Sequence, residues 1–176
     1  MHFPDVETSR LRLRAIVASD WPAILDYMSD PRVTAFLPEG VLDENASRAF
    51  AQEQAGEHGK AVAVVEKASG EMIGHMPFHL WFGPDTYEIG WAFGRAAQGK
   101  GYATEAAEAL LAYSFGTLKA HRVIATCQPE NNASWRVAEK LKMRREAHFR
   151  SALHQPSGVW WDEYFYAILA DEYEAR

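Results

Sequence analysis

The hydrophobic pattern of this chain changes period around residues 98–103, and two glycines mark the change. Upstream, Thr86 to Phe93 reads as a strand. Downstream, Ala103, Ala107, Leu110, Leu111, Phe115 and Leu118 recur at the spacing of one helical face. Between them stands Gln98-Gly99-Lys100-Gly101-Tyr102-Ala103. A backbone that passes from strand to helix through two glycines turns tightly and lies close to whatever occupies the turn. The unpaired N–H groups of the helix's first turn point at that spot, and with the helix dipole they form an anion site. A pyrophosphate is the natural guest. Ala103 is too small to block the helix mouth, and Lys100 adds charge at the rim. For this hexapeptide alone, a strand-to-helix turn without a ligand is the plain alternative.

The remaining pattern predicts a mixed α/β sheet with helices between strands on both sides of a meander. Leu11, Leu13 and Ala15 alternate with arginines, as in a half-buried strand. Ser19 is placed to cap a helix beginning near Asp20 and ending before Pro31, and a second helix is expected from Asp43 to about Glu57. Ala61 to Glu66, Met72 to Phe82 and Thr86 to Phe93 form the meander, with turns at Ser69-Gly70 and Gly83-Pro84-Asp85. Gly74 marks a bulge and Pro77 an irregularity. After the central helix come a strand from His121 to Gln128, a helix from Asn132 to Lys142, and strands near Arg144 to Leu153 and Trp161 to Leu169.

Bulk properties remove several function classes. A chain of 176 residues, 48% apolar and 24% charged, fits one soluble domain spanning residues 1–176 with a full core. The net charge of −6 argues against a general nucleic-acid surface. No signal segment is visible in Met1 to Arg14, and no run approaches the roughly 20 apolar residues of a membrane span. With Cys127 as the single cysteine, neither an internal disulfide nor a cysteine-based zinc site is possible; no metal is expected. A cytoplasmic setting fits.

Two familiar phosphate loops fail on the glycine segment. A Walker loop needs Ser or Thr after Gly-Lys, and Gly101 stands there; a dinucleotide fingerprint needs a third glycine where Thr104 stands. The segment instead resembles the coenzyme A pyrophosphate loop of the GCN5-related N-acetyltransferase (GNAT) superfamily, (Gln or Arg)-x-x-Gly-x-(Gly or Ala), with Gln98, Gly101 and Ala103 at its fixed positions. Glu88-Ile89-Gly90-Trp91 precedes it, and Tyr102-Ala103-Thr104-Glu105-Ala106 and His121-Arg122-Val123 follow. Pro129-Glu130-Asn131-Asn132-Ala133-Ser134 and Arg136 to Leu141 complete an order similar to the branch that acetylates ribosomal-protein N-termini, the RimJ/RimL type. Glu7 to Arg14 and Ser29-Asp30-Pro31 share the likeness. There are two departures. Lys142-Met143 stands where the family usually has Gly-Phe, which bears on the helix C-cap. Ala147 replaces a frequent glycine in a region that faces the acceptor in relatives.

The resemblance implies a sheet of about seven strands, mostly antiparallel, splayed between the fourth and fifth, with about four flanking helices. It implies acetyl-CoA as cosubstrate, with the pantetheine arm pairing to backbone at Trp91, Ala92 and Phe93. The phosphates would sit on Gln98, Gly99, Lys100, Gly101, Tyr102, Ala103 and Thr104. Asn131 would hydrogen-bond the pantetheine amides. Ser134 stands where relatives place a hydroxyl near the sulfur, as proton donor to the thiolate or as a helix N-terminal hydrogen bond. An alkylammonium must lose a proton before it attacks. Candidate bases are Glu88, acting through water, and His154; their plain readings are a solvated strand carboxylate and an exposed loop histidine. A near-neutral α-amine needs no dedicated base. His75 and His79 share a face and either line the cleft or lie at the surface. Trp81, Phe82, Trp160, Trp161, Tyr164 and Phe165 either pack in the core or wall an acceptor pocket. Cys127 reads as a buried small hydrophobe.

Direct transfer to an amine in a ternary complex is therefore expected. The acceptor is a protein N-terminus or a small molecule, and the protein a monomer or homodimer. A non-catalytic acyl-CoA-binding module that kept the fold is the alternative.

Overall fold

The computed structural model describes residues 5–56, 58–155 and 157–176. Its strands are β1 (Val6–Glu7), β2 (Leu11–Ala15), β3 (Ala61–Glu66), β4 (Met72–Leu80), β5 (Thr86–Ile89), β6 (Ala92–Phe93), β7 (Arg122–Cys127), β8 (Arg144–His154) and β9 (Trp160–Leu169). Its helices are α1 (Trp21–Met28), α2 (Pro31–Thr34), α3 (Glu44–Gln54), α4 (Tyr102–Gly116), α5 (Asn132–Lys140) and α6 (Ala170–Glu174). The strands form one sheet in the order β1-β2-β3-β4-β5-β7-β9-β8, with β6 paired to β4. Only β5 and β7 run parallel; the other pairs are antiparallel.

Each face of the sheet carries its own core. On one, α4 and α5 bury Leu110, Leu111, Phe115 and Ala138 against Leu11, Leu13, Val62, Val64, Met76, Phe78, Val123 and Ile168. On the other, α1 and α3 bury Ile24, Met28 and Ala51 against Ile16, Ala61, Ala63 and Met72. Strands β2 and β3 thus present alternate residues to the two cores, as a pleated strand requires.

The strand count exceeds the expected seven for two reasons. A two-residue β1 pairs with β2, and the run expected from Thr86 to Phe93 breaks at Gly90-Trp91 into β5 and β6. The break follows from β4. Pro77, which has no N–H to offer, stands opposite Gly90; on its other edge β4 bulges at Ile73, where Val64 faces Gly74 and Val65 faces Met72. The expected bulge lies beside Gly74, whose lack of a side chain lets the Ala92 carbonyl approach. Two short helices, α2 and α6, raise the helix count to six.

Several boundaries differ from expectation. Ser19 is not a cap: it sits inside a 3-10 turn (Ala18–Asp20), and the Asp20 carboxylate accepts from the Val17 N–H at 2.9 Å. Asp43 caps α3, accepting from Ala46 N–H at 2.8 Å, and α3 stops at Gln54. The expected end at Glu57 lies outside the described residues, as do the first four residues of Met1 to Arg14. The α5 helix ends at Lys140, two residues early, in a Schellman turn. Met143 N–H bonds the Ala138 carbonyl and Lys142 N–H the Glu139 carbonyl, both at 3.0 Å. Lys142 takes φ +62°, the left-handed conformation that a glycine adopts without strain. Among the described residues no helix is long and apolar enough to cross a membrane.

Candidate active site

The sheet opens where β5 and β7 part. They pair from Thr86/Arg122 to Glu88/Ile124. Beyond that point β6 turns to β4, pairing Gly74 with Phe93 and His75 with Ala92, while β7 stays with β9. The gap forms a cleft of about 800 Å³. Its lining includes Trp91 and Ala92 on one side, Thr126, Cys127 and Gln128 on the other, Asn131 and Ser134 from α5, and Trp161 and Glu163 from β9. Phe36, which follows α2, meets Trp161 with ring centroids 6.0 Å apart, bridging the α1–α3 side and the β8–β9 hairpin.

The glycine segment lies at the start of α4. Gly99 and Gly101 take φ of +74° and +81°. The Glu105 N–H bonds the Gly101 carbonyl. The N–H groups of Tyr102, Ala103 and Thr104 therefore precede the first intrahelical bond. Gly101, at the N-cap, offers no side chain to satisfy them. The Gln98 amide donates to the Phe93 carbonyl at 2.9 Å, so this side chain ties the segment to β6.

A brace from the turn between β1 and β2 holds the helix mouth. Glu105 accepts from the Thr8 hydroxyl (2.6 Å), the Ser9 hydroxyl (3.0 Å), and Arg10 through both its backbone N–H (3.0 Å) and Nε (2.7 Å). These bonds hold its carboxyl down at about 2 against the opposing effect of burial. Arg10 also donates to the Lys100 carbonyl at 3.0 Å and lies 4.4 Å from the Tyr102 ring centroid.

At the cleft, Asn131 caps α5: its Oδ1 accepts from the Ser134 N–H at 3.2 Å. The Ser134 hydroxyl is thereby free of capping, and it accepts instead from the Trp91 indole N–H at 3.0 Å. With Trp91 as donor, the hydroxyl's own hydrogen is left to donate, to the Cys127 sulfur beside it or to a group in the cleft. Cys127, also buried, lies beside it. Burial pushes its thiol up to about 11, with Ser134 hydrogen bonding opposing the rise.

Glu88 lies opposite His79 of β4, 3.8 Å from its Nε2. Burial pushes the Glu88 carboxyl above the ordinary carboxylate range, against the pull of His79 and of the Thr126 hydroxyl. His79 Nδ1 sits 3.0 Å from the Leu80 carbonyl, which can only accept. That contact assigns the ring hydrogen to Nδ1 and turns Nε2 toward Glu88. His75 also lines the cleft but is 2% exposed, and its Nδ1 meets the Tyr27 hydroxyl at 2.8 Å. His154 ends β8 rather than standing in a loop. It is exposed at the cleft, with its ring 4.9 Å from that of Trp160.

Glu88, His154, Trp91, Ala92, Asn131 and Ser134 thus meet in one cleft, with Gln98 to Thr104 at the adjoining helix mouth. Of the six aromatics only Trp161 lines it. Trp81, Phe82 and Phe165 pack on one another outside it, with Phe82 83% exposed. Ala147 is not in the lining either; it follows the β8 bulge at Glu146. The residues that sequence reasoning missed are Phe36, Thr126, Gln128 and Glu163. Their signal was weak, because their convergence depends on β9 lying beside β7. Among the described residues no group of His, Cys, Asp and Glu is placed to hold a metal ion.

Comparison with known proteins agrees with this geometry. Residues 10–144 match the "Acetyltransferase (GNAT) domain" family. The chain is 45% identical to the uncharacterized N-acetyltransferase YnaD of Bacillus subtilis, over 96% of this chain and 98% of that one. It is similar to a crystal structure of a GNAT-family acetyltransferase from Bacillus anthracis, with 44% identity, TM-score 0.90, and coverage of 95% and 99% of the two chains. A ribosomal-protein-S5-alanine acetyltransferase from Vibrio fischeri shares the fold at 21% identity, with TM-score 0.80 and coverage of 97% and 99%. The chain belongs to the GNAT family of acetyltransferases and is an acyltransferase.

Proposed function

We propose that this acetyltransferase moves the acetyl group of acetyl-CoA onto a primary amine by direct transfer within the cleft between β6 and β7. The observation that carries this reading is the pair of groups on the two sides of one gap, the Ser134 hydroxyl held by Trp91 and the Glu88 carboxyl 3.8 Å from His79. The pyrophosphate fits the free N–H groups of Tyr102, Ala103 and Thr104, with Lys100 at the rim. The pantetheine arm fits the open edge of β6 at Trp91, Ala92 and Phe93, where added-strand pairing is available. The amide nitrogen of Asn131, not used in capping, faces the arm.

The protonated amine gives one proton to Glu88, through water, and its lone pair forms the C–N bond at the thioester carbonyl. The C–S bond breaks, and the sulfur takes the Ser134 hydroxyl proton. The second N–H proton restores Ser134. One proton leaves to solvent and one ends on the thiol, so the reaction balances. His79, 3.8 Å from Glu88, is a positioning residue for the base. His154 is the alternative base at the cleft's far edge. The order of motifs that resembles the RimJ/RimL type supports a protein N-terminus or a small amine as acceptor.

Steady-state kinetics test the assignment. Replacing Glu88 with Gln lowers kcat about 10²-fold or more, and Ser134→Ala lowers it about tenfold, each with an unchanged acetyl-CoA KM. Changes confined to the acetyl-CoA KM would make both residues binding groups and contradict their catalytic roles.

A further inference from the structure

The floor of the cleft is a polar row that crosses four neighbouring strands. His79 of β4 faces Glu88 of β5, and Glu88 lies beside Ile124 of β7. Thr126, two residues on, shares that face. Its hydroxyl meets Glu88 at 3.5 Å and hydrogen-bonds Glu163 as well. Gln128 continues the alternation. Cys127 pairs with Tyr164, which sets Glu163 of β9 next to Gln128.

Two independent observations mark the row as open to an occupant. Gln128 is 9% exposed and lines the cleft; its side-chain amide makes no hydrogen bond to the described residues, and its polar atoms remain open to the cleft. Glu88 and Glu163 are both partly buried, and neither has an arginine or lysine within ion-pair distance among the described residues. Most arginines of the protein are already committed elsewhere, as Arg10, Arg14, Arg122 and Arg144 are to acids outside the cleft. Lys60 is the one lysine in the lining among the described residues, and the exposed Glu39 and Glu53 line the cleft with it.

We propose that Glu163 and Gln128 are the acceptor-recognition pair. Glu163, with Glu88, holds the ammonium, and Gln128 takes a neutral hydrogen-bonding group beside it. The cleft then accepts amines with no carboxylate next to the reacting nitrogen and rejects free α-amino acids. The inference rests on the reading that the cleft acetylates an amine. Like charges brought together in a cleft discriminate strongly, and Glu163 supplies the repulsive element against a carboxylate. Gln128 supplies the attractive element toward an amide.

Matched acceptors test it: leucinamide against leucine, and phenethylamine as an amine with neither amide nor acid. Thiol release from acetyl-CoA gives kcat/KM for each with the wild type, Glu163→Gln and Gln128→Leu, all checked for unchanged melting temperature. The amide and the acid differ in amine basicity, so the decisive quantity is how their ratio changes between variants. The wild type prefers leucinamide over leucine by more than about tenfold, and Glu163→Gln narrows that ratio about tenfold. Gln128→Leu lowers the rate with leucinamide but not with phenethylamine. A ratio unchanged by Glu163→Gln, or leucine used as well as leucinamide by the wild type, overturns the recognition pair and leaves amine acetylation standing. Absence of release with every amine overturns both.

Discussion

Lys142 holds a backbone position that strains any residue with a Cβ. At φ +62° it closes the Schellman turn after α5, and the burial of Met143, 4% exposed, fixes the chain direction that demands it. The left-handed conformation costs an L-residue roughly 1–2 kcal/mol, while glycine's extra unfolded-state entropy costs about 0.5–1 kcal/mol. Lys142→Gly is therefore expected to stabilise the protein by about 0.5–1 kcal/mol, read as a melting temperature a few degrees higher. Glu88 is the other residue whose environment sets a measurable property. As the proposed base it works only when deprotonated, and burial raises its pKa. The kcat/KM profile is thus expected to rise with pH through a limb lying above the ordinary carboxylate range. Glu88→Gln removes that limb; an acid limb unchanged in the variant would assign it to another group.

Contacts between elements control how the two sides of the cleft are held. The Tyr27 hydroxyl of α1 meets the buried His75 of β4, whose imidazole is pushed down to about 4 by burial. The folded state thus keeps His75 neutral, while an unfolded chain protonates it near 6.5. Its contribution to stability is full above about pH 6.5 and falls as pH drops toward 4. The slope is about 1.4 kcal/mol per unit, so about 3 kcal/mol in total at the order of magnitude. Chemical unfolding across that window measures the slope, and His75→Gln should flatten it. On the other side, Arg10 and Glu105 stitch the turn between β1 and β2 to the mouth of α4. Arg10→Ala is expected to raise the acetyl-CoA KM several-fold and leave the acceptor KM alone, because Arg10 touches the loop and not the cleft. These elements were unequally legible in the sequence. The α4 stripe, the Asp43 cap and the meander were readable because they are written in local periodicity and local hydrogen bonding. The break at Gly90-Trp91 was not, because it falls opposite Pro77, on a neighbouring strand. Ser19 failed as a cap because it lies inside a 3-10 turn that runs into α1, so the N-cap position falls one residue on, at Asp20.

At the scale of the whole molecule, one sheet splits so that its two halves face each other across a gap. The side of the site proposed for the cofactor was legible because Gln98 to Thr104, Asn131 and Ser134 lie in contiguous motifs. The acceptor side was legible only in Glu88 and His154. Thr126, Gln128 and Glu163 become neighbours through the β7–β9 pairing, which no local pattern announces. The central claim is that acetyl-CoA seated at the α4 mouth gives its acetyl group to an amine in the cleft. Free-thiol release from acetyl-CoA, measured with and without amines, tests it most directly in the wild type and Gly101→Glu. At φ +81° and at the helix N-terminus, a glutamate brings both backbone strain and a negative charge to the phosphate site. Release that depends on the amine in the wild type and is lost in Gly101→Glu is the predicted result. Tight acetyl-CoA binding with no amine-stimulated release, or full activity in Gly101→Glu, would contradict it.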